Sequence, residues 1–380
     1  MCGIYLHFPF CKKKCIYCAF YSIGNFQLYE SYLNALLKEI ELRRDYLGEG
    51  AIQTLYFGGG TPTLLSLVDA EKILNCISKY YTFESNFEFT FEGNPEQLSK
   101  EYLVGLKNLG VNRLSIGVQS FDDEVLHLLG RTHNANQACK AIENALQVGL
   151  ENVSVDLIYG IYARSISLWR KELQNIAQFQ VPHFSAYSLT VEENSLLERK
   201  IHQNRYPQLD ENQSIEELGV LIDFAEQQGY EHYEVSNFAQ KGFRSRHNSH
   251  YWDGTPYIGL GPSAHSFNGL TRQWNCASVK EYVQRLAAEE VFFETETLSR
   301  GERYNEYVLL HLRTARGISL RDVAETFGEV YKEYLLRELL KIDPIYYIRD
   351  AETIRISRQG IPLTDAITAE LFVTDSIEDK

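Results

Sequence analysis

The chain has 380 residues, 44% of them hydrophobic and 13% aromatic, and carries a formal net charge of −14. That charge weighs against a broad nucleic-acid footprint, which needs a basic stripe, and no apolar run approaches the roughly 20 residues of a membrane span. Seven cysteines is an odd count, and no secretory leader is read at the N-terminus. Reduced thiols in the cytoplasm are therefore expected, with Cys2, Cys76, Cys139 and Cys276 as small buried hydrophobes.

Periodicity predicts a strand at Gly3–Phe8, a helix at Gln27–Leu47 and a strand at Ala51–Phe57. A run of three glycines, Gly58 to Gly60, then leads into Thr61-Pro62-Thr63. A helix is predicted at Val68–Tyr81 and a strand at Asn86–Glu92. Ser99 caps a helix ending at Leu109. Arg113–Val118 reads as a strand, followed by helices at Asp122–Leu129 and Asn134–Val148. The alternation continues with a strand at Val153–Tyr159, a helix at Ser165–Phe179 and a strand at His183–Leu189. Strand and helix in turn mean parallel strands with crossover helices, in an open doubly wound sheet or a (β/α) barrel.

The strand FEFTFE discriminates between them. Phe87, Phe89 and Phe91 point to one side, and Glu88, Thr90 and Glu92 to the other. A parallel sheet normally has both faces covered by apolar packing, so a polar face suggests the lumen of an incomplete (β/α) TIM-like barrel. The distinctive polar residues lie at strand exits, where barrel sites gather. From about Arg300 the texture changes to three helices (Tyr304–Arg313, Ser319–Phe327, Glu329–Leu340) and a hairpin (Tyr346–Arg349, Thr353–Ile356). This reads as a small winged-helix-like domain with no basic stripe, suited to packing or a protein partner. The expected division is 1–295 for the barrel, with 190–295 as an extension, and 296–380 for the small domain.

The first strand runs into HFPFCKKKCIYCAFYS. Cys11, Cys15 and Cys18 place three thiolates around one centre. Two fillings suit them: a structural zinc completed by a histidine such as His7, or a [4Fe–4S] cluster with one iron left open. The open iron suits S-adenosylmethionine, whose amino and carboxylate groups can bind it. Glycines at the exit of the second strand let backbone approach such a ligand closely.

Together, GIYLHFPFCKKKCIYCAF, LYFGGGTPT, FEGNPE, RLSIGVQSFDDEVLHLLGRTH and VDLIYGI resemble the radical S-adenosylmethionine superfamily. More narrowly they resemble the branch holding oxygen-independent coproporphyrinogen III oxidase and a family of heme chaperones. The resemblance implies that Cys11, Cys15 and Cys18 ligate the cluster and that Tyr5, Gly60 and Glu92 contact its S-adenosylmethionine. It associates Thr61, Pro62, Gln119, Arg131 and Asp156 with a second molecule of that cofactor. The oxidases carry a further cysteine where this chain has Phe20, and they extend further before the first strand. VDLIYGIYARS also departs from the usual turn at Tyr162 and Ala163. RHNSHYW matches the HNxxYW pattern associated with heme in the chaperones, with His247 favoured over His250 as an iron ligand. Tyr251 and Trp252 are read as stacking surfaces, and Arg244 or Arg246 as a propionate partner. The expectation is a heme chaperone, with coproporphyrinogen oxidation as the alternative. Its expected partners are heme, apo-hemoprotein recipients, a second copy in a homodimer and, peripherally, membrane hemoproteins; nucleic acid is not among them.

Overall fold

The computed structural model describes residues 2–162, 164–193 and 195–374. Strand β1 (Cys2–Phe8) is followed by α1 (Tyr29–Leu42), β2 (Ile52–Gly59), α2 (Leu67–Tyr80), β3 (Phe83–Gly93), α3 (Lys100–Asn108) and β4 (Arg113–Gln119). Then come α4 (Asp123–Leu128), α5 (Ala135–Gln147), β5 (Val153–Tyr159), α6 (Ile166–Gln178) and β6 (His183–Ser188). These strands pair in sequential order, every pair parallel. Right-handed crossovers that always step in the same direction put their helices on one face. The other face is left inward, which is the arrangement of a barrel. A doubly wound sheet would reverse its order part-way, so that alternative falls.

The chain then adds strands at both edges. After α7 (Leu196–His202) and α8 (Glu211–Gln227), β7 (Glu231–Glu234) and β8 (Asn237–Ala239) extend the edge at β6, with β8 antiparallel to it. Helix α9 (Arg246–Asp253) leads to β9 (Tyr257–Leu260), which pairs parallel with β1. Strands β10 (His265–Phe267) and β11 (Thr271–Asn275), helix α10 (Val279–Ala287) and strand β12 (Phe293–Thr297) complete that side. Among the described residues the sheet thus has 12 strands, ending in β12 at one edge and β7 at the other.

The alternation read in FEFTFE is realised. Phe89 and Phe91 enter the core between strands and helices, with Ile4, Leu6 and Phe57. Around β4–β6 the corresponding core is built on Leu114, Val155, Trp169 and Phe184. Serine caps set many helix starts: Ser66, Ser99, Ser165, Ser195, Ser245 and Ser278 each accept a backbone N–H from the first turn. Helix α1 stops at Leu42, short of the predicted Leu47. Arg43 leaves helical geometry (φ −99°, ψ 11°) and sends its guanidinium to Gly259 O, Ser266 and Gln273.

The C-terminal helices α11 (Arg300–Leu312), α12 (Leu320–Phe327), α13 (Glu329–Leu339) and α14 (Thr364–Glu370) form their own core around Tyr304, Phe327 and Leu335. The hairpin β14 (Tyr347–Arg349) and β15 (Thr353–Ile356) gains a third strand, β13 (Ile318–Ser319). Two residues are too few to carry a periodic signal. Among the described residues no helix is long and apolar enough to cross a membrane. All seven cysteines are free, but only Cys2 is fully buried. Cys76, Cys139 and Cys276 are half-buried on helices or the extension, which corrects the expectation of burial.

Candidate cofactor site at the barrel mouth

The cysteine loop leaves β1 and crosses the mouth of the barrel. Its path explains the glycines. Gly60 N donates to Phe8 O at 2.7 Å, and a Cβ on Gly60 would stand 2.7 Å from Phe10 O and 2.9 Å from Phe8 O. Gly59 takes φ 106°, the left-handed region. The chain's own cysteine loop therefore already requires close backbone approach here.

Cys11, Cys15 and Cys18 are partly exposed. Cys11 Sγ lies 3.4 Å from Thr61 Oγ1, and Asn94 Nδ2 donates to that same oxygen at 3.4 Å. Asn94 Oδ1 accepts from Arg131 Nη2 at 2.7 Å, and Arg131 Nη1 reaches Cys15 Sγ at 3.3 Å. A polar chain thus runs from one thiol to another across the rim. Gly117 marks where its members meet. A Cβ there would contact Gln119 Nε2 at 3.0 Å, Arg131 Nη2 at 3.4 Å and Asn94 Oδ1 at 3.5 Å. Gln119 itself sits at φ 69°, a strained conformation for a non-glycine residue and one common at functional sites. Pro62 begins a short 3-10 turn behind Thr61.

Deeper in the mouth, Tyr56 donates to Glu92 Oε1 at 2.6 Å and Gly59 N to Oε2 at 3.2 Å. Burial pushes the Glu92 carboxyl up to about 7 against the lowering effect of the Tyr56 hydroxyl, and the charge of Asp156 adds to the rise. Burial likewise raises Asp156 to about 6, opposed by hydrogen bonds from Ser185 and Ser115. A polar cavity of about 40 Å³ is lined by both carboxylates with Thr90, Arg113 and Asn248. It accommodates a few waters and no macrocycle. Thr90 Oγ1 is buried there without a hydrogen-bond partner among the described residues.

The donor set fits a cluster better than a single zinc ion. His7, the candidate fourth zinc ligand, has both ring nitrogens engaged, with Tyr5 OH at 3.1 Å and Tyr21 O at 2.8 Å. Among the described residues no three His, Cys, Asp or Glu side chains converge on one ion-sized centre, whereas a cube takes each thiolate on a different iron. Among the described residues Arg131 Nε is buried and unpartnered, leaving a donor for an anionic group.

The structure thus gathers the predicted residues into two sets. The cysteines, Thr61, Gln119 and Arg131 share the rim. Tyr5, Glu92, Asp156 and His247 lie in or along the lumen. Tyr5 and Tyr56 have ring centroids 6.0 Å apart, and the His247 ring stacks on both. His247 itself is buried, its nitrogens on Thr54 Oγ1 at 2.8 Å and Tyr251 OH at 2.9 Å. Phe20, at the position of the oxidases' extra cysteine, is 67% exposed. The departing turn after β5 is fixed by Gly160 N and Arg164 on Glu217, and Ala163 lies outside the described residues. Sequence reasoning missed Asn94 and Tyr56. Asn94 stood in the quoted FEGNPE without a role, and Tyr56 alternates with Leu55 and Phe57 as an ordinary strand aromatic.

Residues 5–170 match the Radical SAM superfamily. The chain is 35% identical to the heme chaperone HemW of Bacillus subtilis (strain 168), over 86% of this chain and 87% of that protein. With HemW of Lactococcus lactis it shares 31% identity over 98% of this chain and 97% of the relative. The chain belongs to the HemW family of radical SAM proteins. The mitochondrial radical S-adenosyl methionine domain-containing protein 1 of Mus musculus is also similar, 35% identical over 97% of this chain and 87% of its own. Membership of the radical SAM superfamily implies a [4Fe–4S] cluster and S-adenosylmethionine. Among solved structures, coproporphyrinogen III oxidase (HemN) from Escherichia coli superposes with a TM-score of 0.84 at 23% identity, over 98% of this chain and 90% of that one. That likeness bears on the fold of this HemW relative alone.

Proposed function

We propose that the chain is a heme chaperone: it binds heme, holds a [4Fe–4S] cluster with S-adenosylmethionine at the barrel mouth, and delivers heme to apo-hemoproteins in the cytoplasm. The observation that carries this reading is similarity at 31–35% identity over 86–98% of the chain to proteins named for that task, supported by three part-exposed cysteines on one loop at the barrel mouth. The cluster with S-adenosylmethionine supplies one-electron chemistry when bound. Cys11, Cys15 and Cys18 hold it, and Arg131 Nη1 lies 3.3 Å from Cys15 Sγ, holding that side of the loop to the rim. Thr61, Pro62 and Gln119 shape the rim around that group. Tyr5 forms one wall for the cofactor. Glu92, positioned by Tyr56 and Gly59, accepts from its amino or hydroxyl donors, and Asp156 adds a second acceptor across the cavity. Gly60 keeps the loop close to β2.

Heme is expected outside the small lumen cavity. On α9, Trp252 is only partly buried, while His247 and His250 are buried. A heme approaching the motif therefore meets Trp252 before either imidazole. A homodimer and contact with membrane hemoproteins are proposed as the setting for transfer.

An anaerobic assay on the reconstituted protein tests this function. Heme binding and transfer to an apo-hemoprotein, without turnover of coproporphyrinogen III, is the expected result. Conversion of coproporphyrinogen III to protoporphyrinogen IX would overturn it in favour of the oxidase.

A further inference from the structure

The helix carrying RHNSHYW is tied to the inner face of β3. The Arg246 and His247 backbone N–H groups each donate to the Glu88 carboxylate at 3.0 Å, so Glu88 caps α9 from within the lumen. This capping turns His247 inward, where it is 1% exposed. Its Nδ1 meets Thr54 Oγ1 at 2.8 Å and its Nε2 meets Tyr251 OH at 2.9 Å. An iron ligand needs a free imidazole lone pair on an accessible nitrogen. Neither nitrogen of His247 offers one. The site is also full: a single Cβ on Gly3 would stand 2.8 Å from Thr54 Oγ1 and 3.4 Å from His247 Nδ1.

What the ring does touch is the cofactor wall. It stacks on Tyr56 at 4.9 Å between centroids, with planes 27° apart, and on Tyr5 at 6.3 Å. Tyr56 in turn donates its hydroxyl to Glu92 at 2.6 Å. The route from α9 to the carboxylate is therefore one stacked ring and one short hydrogen bond.

We infer that His247 is a positioning residue for the S-adenosylmethionine site: it fixes the Tyr5 and Tyr56 rings and, through Tyr56, the Glu92 carboxylate. The inference rests on the cofactor reading above. It gives the HNxxYW segment a task in cofactor binding separate from any contact with heme.

The test measures two affinities on the full chain. S-adenosylmethionine binding to the cluster-reconstituted protein is followed by equilibrium dialysis, and heme binding by absorbance titration without the cluster. His247→Ala raises the S-adenosylmethionine Kd roughly tenfold or more, since Thr54 and Tyr251 lose their partner and the stack is empty. His247→Gln, which keeps a planar donor and acceptor, recovers part of the loss. Combined with Tyr56→Phe, His247→Ala costs less than the sum of the two single changes, because both act through Glu92. Heme affinity stays within about twofold of the unaltered chain throughout, well below the tenfold step that 1.4 kcal/mol represents.

Unchanged S-adenosylmethionine affinity in His247→Ala overturns the inference and leaves the cofactor reading standing, provided the unaltered protein binds S-adenosylmethionine. If the unaltered reconstituted protein binds none, the cofactor reading fails and takes the inference with it. Loss of heme binding with S-adenosylmethionine affinity retained also overturns it. Should His247→Ala not fold, His247→Gln and Tyr56→Phe carry the same comparison.

Discussion

A single carboxyl shows how the lumen stores chemistry. Glu92 rises from an ordinary 4.5 to about 7 because burial disfavours its charged form. A raised carboxylate means the folded chain holds the proton more tightly than the unfolded one. Stability is therefore free of this penalty below about pH 4.5 and falls as pH climbs to about 7. Asp156, raised from 3.8 to about 6, acts in the same direction over a lower window. Urea unfolding of the cluster-free chain at pH 5 and pH 7.5 should show the decline, and Glu92→Gln should remove roughly 1–3 kcal/mol of it. An equal pH dependence in the variant would refute the assignment. At the rim, Arg131→Met should weaken cluster retention while leaving heme titration unchanged, because Arg131 faces Cys15 and Asn94; iron content after desalting measures it. Glu92, Asp156 and Arg131 entered the reading through the family resemblance, and the structure places Glu92 near the end of β3, Asp156 within β5 and Arg131 just after α4. Asn94 was not legible, since its hydrogen bonds to Thr61 and Arg131 join segments far apart in sequence.

At the scale of elements, α9 is the informative case. Its Ser245 cap is visible in the sequence, but its main anchor is Glu88, a residue whose inward direction FEFTFE did reveal. The alternation said that Glu88 faced the lumen and could not say what met it there. Glu88→Ala leaves the Arg246 and His247 backbone donors buried without their acceptor. The expected cost is roughly 2–4 kcal/mol, with Glu88→Gln closer to the unaltered chain; thermal unfolding compares them. Equal stability of Glu88→Ala would mean that α9 is held elsewhere. The six parallel strands were read within a few residues because each carries its own periodicity. Strand β9 was not, since pairing next to β1 depends on a fold-back that no local pattern announces.

Across the molecule, buried ionic networks tie late segments to early ones. Glu39 on α1 accepts from Gly261 N at 2.7 Å and Asn275 Nδ2 at 2.7 Å, and Tyr282 donates to it from α10. Arg43 joins the same group. This network fastens the edge strands β9–β11 to the first helix, so the mouth that begins at β1 depends on residues more than two hundred positions downstream. Glu39→Ala leaves a buried guanidinium short of its carboxylate and should cost about 3–5 kcal/mol. Hydrogen exchange should then rise in β9–β11 before it rises in β4–β6; a uniform increase would contradict the coupling. Alternation gave the architecture of this whole, and resemblance gave its chemistry. The packing of the extension onto α1 was written in neither.

The central claim is a three-thiolate site open to S-adenosylmethionine inside a polar barrel mouth. The most direct measurement is the electron paramagnetic resonance spectrum of the reduced, anaerobically reconstituted chain, before and after S-adenosylmethionine is added. The account predicts about four irons and four sulfides per chain, a cluster signal that changes shape on addition, and loss of that signal in Cys15→Ala. A spectrum indifferent to S-adenosylmethionine, or a colourless protein carrying stoichiometric zinc, would contradict it.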